Sequence, residues 1–420
     1  MELELFYGKE FVKGIIPRKN LSGLLLPNER PGLTDPEAAV KKAMANPIGT
    51  APLREIALAK KTQRVVIVVN DFTRPTPYEY MLPPILEELK AAGVEDEQIT
   101  LVVATGSHRA NNEQENREVF GDQIVDTYRI ISHDCLSEDL VGIGMLSNGS
   151  EVLINRQVAE ADLLITTGLI TLHYFAGFSG GRKSIFPGVV AKHLIQENHA
   201  MMTDLRARNG NYLDNPVHWI MLEAARLAKV DFILNVVTNE EKEIVEVVAG
   251  DVEEAWLKGV KVCAKMNMIP LGKLGDVAIA SAGGNPKDIN LYQAQKALDA
   301  AHSAVRTGGT IILVAQCPEG LGEHTFAQWI DEAACLEDIF QRFAQGFELG
   351  GHKAFAIAQV LKEKEVVLVS DLGRSMTEKL FMTYAPDLQW ALEYVRQKHG
   401  EDYTCYVMPQ AGMIFPELTK

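Results

Sequence analysis

The chain has 420 residues, 47% of them hydrophobic, and a formal net charge of −15. That length exceeds what one core ordinarily serves and predicts two folded domains. The acidic balance excludes the basic face that nucleic acid or an anionic membrane surface would require. The opening MELELFYGKE lacks a basic, apolar leader, and no uncharged apolar run is long enough to span a bilayer, so a cytoplasmic location with no membrane partner is expected.

In chain order, RVVIVVN (64 to 70), ITLVVATG (99 to 106), ADLLITTG (161 to 168) and DFILNVVT (231 to 238) are short β-branched runs, the pattern of strands covered on both faces. Tyr78 to Gly93 reads as a helix with proline at its start and glycine at its end. A helical stretch from Val252 to Met268 gives way to IPLGKLGD. A strand DVAIASAGG, a helix from about Asn290 to Arg306 and a strand GTIILVAQ follow. The alternation predicts α/β architecture: two α/β domains with largely parallel sheets and the active site in the cleft between them. The expected division is 1–271 and 272–400, with the tail 401–420 pairing in the second domain or returning to the first. No GxGxxG follows any strand, so a nicotinamide-type fingerprint is missing. The five cysteines, with no CxxC among them, predict reduced, mostly buried thiols rather than disulfides or a zinc site.

Five segments could carry chemistry. NDFTRPTP (70 to 77) follows the first strand; its Asp71 and Thr73 can bond backbone or ligand, and Arg74 offers a planar fork for a carboxylate or phosphate. A capped turn with a surface arginine explains it equally well. ATGSHRA places His108 just past the second strand. HYFAGFSGGRKSIFPG (173 to 188) combines His173 and Lys183 with glycines at 177, 180, 181 and 188, an arrangement suited to close backbone approach and anion binding. Within it Arg182 adds fixed positive charge and occupies the second-glycine position of a Walker A loop, which disfavours ATP or GTP. ENHAM holds His199, which by itself reads as a surface residue. YQAQK, at the start of the helix after DVAIASAGG, supplies Tyr292, Gln293 and Lys296; Gln293 and Lys296 share a helical face. No HExxH is found among the ten histidines.

Taken together, DFTRPTP, GSHR, HYFAGFSGGRKSIFPG, His199 and YQAQK resemble the nickel-dependent lactate racemase family, in the family's order and over nearly the whole chain. The resemblance implies a racemase or epimerase that inverts C2 of a 2-hydroxy acid, lactate most simply. It implies a nickel-pincer nucleotide, tethered through a thioamide at Lys183, with His199 as the protein's nickel ligand. Asp71, Phe72, Thr73 and Arg74 would help hold that cofactor. His108 and His173 would be the paired acid and base, one for each enantiomer. Arg74, Tyr292, Gln293 and Lys296 would contact the small-molecule substrate. Proteins that build the cofactor are candidate partners. In this chemistry the C2 hydrogen leaves as hydride, and no carboxylate cage suited to Mg²⁺ offers the alternative of an ene-diolate. A metal-dependent oxidoreductase or hydrolase, or a non-catalytic nickel- or nucleotide-binding protein, are the competing readings.

Overall fold

The computed structural model describes Met1 to Thr419. The chain opens with an antiparallel hairpin, β1 (Glu2–Tyr7) and β2 (Glu10–Ile15), then β3 (Leu21–Leu24). Next come β4 (Val65–Asn70), β5 (Ile99–Ala104), β6 (Arg129–Ser132), the hairpin β7 (Leu140–Met145) and β8 (Glu151–Asn155), and β9 (Leu163–Leu169). A two-residue pair, β10 (Leu172–His173) and β11 (Gly177–Phe178), precedes β12 (Phe232–Thr238) and β13 (Ile244–Gly250). The remaining strands are β14 (Met268–Leu271), β15 (Gly275–Ser281), β16 (Val305–Val314), β17 (Glu365–Val369), β18 (Thr383–Ala385), β19 (Cys405–Met408) and β20 (Phe415–Leu418).

Two compact units result: Glu29–Met266, and Met1–Asn28 joined with the chain from Asn267 onward. This differs from the sequence-based division at the N-terminus. The first 28 residues belong with the C-terminal unit, because β3 pairs in parallel with β19 and Leu3, Leu5 and Ile16 sit in the same core as Val277, Ile312 and Val367. Of the two arrangements expected for the tail, it takes the first, pairing within the C-terminal unit, where β19 pairs with β15 and β20 with β14.

In the unit Glu29–Met266 the sheet runs β13-β12-β9-β4-β5-β6, parallel throughout except for the antiparallel edge strand β13. The four β-branched runs form β4, β5, β9 and β12. The five residues Val65 to Val69 are all buried, as a strand covered on both faces requires. The helix Tyr78–Ala91 buries Tyr78, Met81, Leu82, Ile85 and Leu89, an i, i+3, i+4, i+7 stripe that lies on the sheet. Strand order reverses about β4, whose neighbours are β5 on one side and β9 on the other. At such a switch point, loops leaving the carboxyl ends of adjacent strands part and open a crevice. The loops after β4, β5 and β9 carry Asp71 to Arg74, His108 and His173 to Lys183.

The other unit has a six-stranded sheet in the order β18-β17-β16-β15-β19-β3, all parallel. Helix Leu291–His302 follows β15 and carries Tyr292, Gln293 and Lys296. The five thiols are free, with Cys263, Cys317 and Cys405 buried, Cys135 partly so and Cys335 exposed. Among the described residues no helix is long and apolar enough to cross a membrane.

Candidate active site

Asp71 is the first residue after β4 and is almost fully buried. Its Oδ2 meets His108 Nδ1 at 2.6 Å, while Oδ1 accepts from Thr73 Oγ1 at 2.6 Å. Burial alone would raise the Asp71 carboxyl, but hydrogen bonds from His108 and Thr73, with the charges of His108 and Arg74, bring it below the usual carboxylate value. An ionised carboxylate at Nδ1 keeps the imidazole proton there and turns Nε2 outward as an acceptor. The His108 side chain is 40% exposed, so that nitrogen is reachable. Phe72 is half-buried beneath the Arg109 guanidinium, 4.3 Å from its ring centre, and Arg74 is exposed.

His173 lies on β10, opposite Gly177 of β11. Gly177 has φ +77°, and a Cβ there would lie 2.1 Å from the carbonyl oxygen of Asn211, so only glycine fits. The tight turn brings the Ala176 N–H to His173 Nδ1 at 3.3 Å. With Nδ1 accepting, the proton of the neutral ring sits on Nε2, the opposite tautomer to His108. Burial, then the positive charges of Lys183, His199, Arg74 and Arg182, push His173 well below the ordinary histidine value.

Phe175, fully buried, organises the next three groups. Its ring is edge-on to His173 at 4.7 Å and to His199 at 4.9 Å, with Lys183 Nζ 5.7 Å from its centre. His199 comes from the helix Lys192–Ala200 and is half-buried. Desolvation and the neighbouring Lys183 charge lower it to about 3. Lys183, in the single 3-10 turn Gly181–Ser184, is also half-buried, and desolvation with the charges of Arg182 and Arg74 drives its amine well below the ordinary lysine value. Arg74 acts on both His173 and Lys183, so the β4 loop and the glycine-rich loop face one another. The glycine-rich loop leads into one turn and not into a helix, which removes any P-loop geometry.

Arg182 does not point to a ligand, contrary to the sequence reading. It is completely buried, stacks 4.0 Å over Trp256 and donates to the carbonyls of Ala176 at 2.9 Å and Gly180 at 3.3 Å. It therefore clamps the loop from inside. Trp256 Nε1 donates to Ser179 O at 2.8 Å, and Asn235 Oδ1 accepts from Gly181 N at 2.7 Å. Phe175, Asn235 and Trp256 were missed in the sequence. Only Asn235 left a signal, a polar residue inside the buried run DFILNVVT.

Tyr292, Gln293 and Lys296 stay together in the other unit. Asn290 caps their helix by accepting from Gln293 N at 3.1 Å, and Lys296 Nζ donates to Gln293 Oε1 at 3.3 Å. Tyr292 and Gln293 are half-buried and Lys296 is exposed.

His173, His199 and the desolvated Lys183 amine gather around Phe175, and His108 stands on the neighbouring loop after β5, all at the switch point of the sheet, where titratable groups of this kind are candidates for proton transfer. Residues 7–210 match the family model of the lactate racemase N-terminal domain, and residues 272–414 that of the lactate racemase C-terminal domain. Lactate racemase of Thermoanaerobacterium thermosaccharolyticum is 34% identical over 418 residues, and that of Lactiplantibacillus plantarum 34% over 417; each alignment covers 97% of both chains. The solved lactate racemase apoprotein from Thermoanaerobacterium thermosaccharolyticum superposes with a TM-score of 0.91 at 33% identity, over 99% of this chain and 100% of that one. The chain belongs to the lactate racemase family. It is an isomerase of that nickel-dependent family.

Proposed function

We propose that the protein racemises or epimerises a 2-hydroxy acid, lactate in the first instance, with His108 and His173 as the two acid/base groups. The observation that carries this is their complementary state. His108 has its Nδ1 proton held by Asp71 and its Nε2 free to accept, whereas His173 accepts at Nδ1 and presents an Nε2 proton. For one enantiomer, the neutral ring takes the hydroxyl proton while the other ring, carrying a second proton, returns one to the inverted alkoxide and is left neutral, so the pair gains one proton and loses one. The roles exchange for the opposite enantiomer.

The residues fit a covalently attached nickel nucleotide. Desolvation and the charges of Arg182 and Arg74 disfavour the ammonium form of Lys183 and so favour the amine that covalent attachment needs. His199 is kept as the neutral imidazole that binds metal. Among the described residues no three His, Cys, Asp or Glu side chains gather as a metal cluster. A single imidazole therefore leaves the other donors to the attached group, and a sulfur-rich set completed by nitrogen suits Ni(II). When bound, that group supplies an acceptor for the C2 hydrogen as hydride. The chain's own part is to orient the substrate, exclude water and move the hydroxyl proton at the two Nε2 atoms. Asp71, Phe72, Thr73 and Arg74 are assigned to cofactor and histidine positioning, with Arg74, Tyr292, Gln293 and Lys296 assigned to the substrate. Chiral chromatography of a 2-hydroxy acid panel incubated with cofactor-loaded protein tests the reading. Loss of optical purity without net change in composition supports it, and accumulation of a keto acid or hydrolysis product favours the oxidoreductase or hydrolase alternative.

A further inference from the structure

Lysine at position 353 opens the helix Gly351–Glu363, in a first turn buried from Gly351 through Phe355. Gly351 belongs there because a Cβ would sit 2.3 Å from the Trp329 ring, so the helix start is pressed into the core. Lys353 is only 4% exposed. Its Nζ donates to Gln295 Oε1 at 2.6 Å and lies 5.5 Å from the Tyr292 ring centre. The adjacent His352 ring meets Tyr292 edge-on at 6.2 Å.

Three features make this an expensive place for an ammonium group. It is desolvated. It lies at a helix N-terminus, where the backbone dipole already presents positive charge. The Lys296 charge also opposes it: burial first, then Lys296, lowers Lys353 to about 7, with Asp299 pulling the other way. A core that needed only packing would hold Met or Leu here at lower cost. Lys353 touches the helix through Tyr292, the residue before Gln293, and Gln295, the residue before Lys296.

We propose that Lys353 is a positioning residue for the substrate carboxylate, acting from behind the Tyr292–Lys296 segment to fix Gln295 and Tyr292 and to add positive potential at Lys296. This rests on the assignment of that segment to the substrate. The lysine pair matches a carboxylate, which every 2-hydroxy acid carries, and it acts on binding rather than on hydrogen transfer.

The test uses cofactor-loaded enzyme and the variants Lys353→Met, which keeps the volume, and Lys353→Gln, which keeps a donor to Gln295 without charge. Both are expected to raise KM for lactate about tenfold with kcat within about twofold. Thermal stability should be unchanged or higher, because a buried charge is gone; a merely structural lysine would lower the melting temperature and leave KM alone. Calorimetric binding of oxalate, a non-reacting planar carboxylate probe, reads the site without turnover and should weaken about tenfold in both variants. Equal KM and equal oxalate affinity in either folded variant overturns the proposal, as does a wild type that binds no oxalate. A wild type that binds oxalate through Lys353 yet racemises nothing would instead overturn the functional reading.

Discussion

Asp71 Oδ2 holds His108 Nδ1 at 2.6 Å across 37 residues of sequence, and a single hydrogen bond thereby sets which nitrogen of the ring works. The carboxylate is buried and the imidazole is reachable, which suits the proposed acid/base role of His108 with Asp71 as its orienting group. Asp71→Asn is expected to preserve the fold and to lower kcat by roughly a hundredfold or more. The sign of the pH effect follows from the depressed Asp71 value. Its stabilising contribution is complete above the ordinary carboxylate range and is lost as pH falls through the lower folded value. Chemical denaturation of wild type and Asp71→Asn should therefore differ at neutral pH and converge in strong acid.

In the proposed mechanism, removal of either histidine isolates one half of the inversion. His108→Ala and His173→Ala are each expected to lose at least about a hundredfold in racemisation, the lower scale for a general acid or base. Full activity in either variant removes that histidine from the mechanism.

Cofactor attachment is read without turnover. Intact mass of the loaded protein should show an adduct that disappears in Lys183→Ala, and nickel content should fall in His199→Ala. An adduct that persists without Lys183, or unchanged nickel without His199, contradicts those assignments.

Arg182 is expected to act through the loop and not through charge on a ligand. Arg182→Lys should not rescue, because an ammonium group cannot reach two carbonyls and stack on Trp256 as a guanidinium does. The expected loss is about 1–3 kcal/mol of stability, the scale of an acceptor left unpaired in a core. Faster hydrogen exchange across 173–184 should accompany it.

His218 links the same core to acid stability. It is buried, stacks on Trp256 at 5.1 Å and is lowered to about 3, chiefly by desolvation and then by Arg182 and Arg226. A histidine whose folded value is depressed favours folding most above its ordinary value of about 6.5, and that contribution falls as pH drops toward the folded value, by at most about 1.4 kcal/mol per pH unit. His218→Phe should make stability less pH-dependent between about pH 4 and pH 6.5. An unchanged slope would remove His218 as a source of acid lability.

Much of this was legible in the chain. Buried parallel strands require β-branched runs, and these announced β4, β5, β9 and β12. The glycine spacing after β9 announced a loop of close approaches, because the backbone at Gly177 admits no side chain. What stayed hidden depends on contacts distant in sequence. No local pattern ties Asp71 to His108, places β3 beside β19, or turns Arg182 inward onto Trp256 from a helix more than seventy residues later. Phe175 looked like one aromatic among several, and its part emerges only when His173, Lys183 and His199 meet around its ring. Lys353 left no mark at all, since a lysine in a helical stretch ordinarily reads as solvated surface.

The most direct measurement of the central claim is proton NMR with chiral analysis of L-lactate incubated with cofactor-loaded protein in deuterated water. The two-histidine reading exchanges only the hydroxyl proton with solvent, while the C2 hydrogen leaves and returns as hydride. The result expected is conversion to an equal mixture of enantiomers with C2–H retained. Stoichiometric deuterium at C2 during turnover would contradict hydride transfer, and optically unchanged lactate would contradict lactate as the substrate.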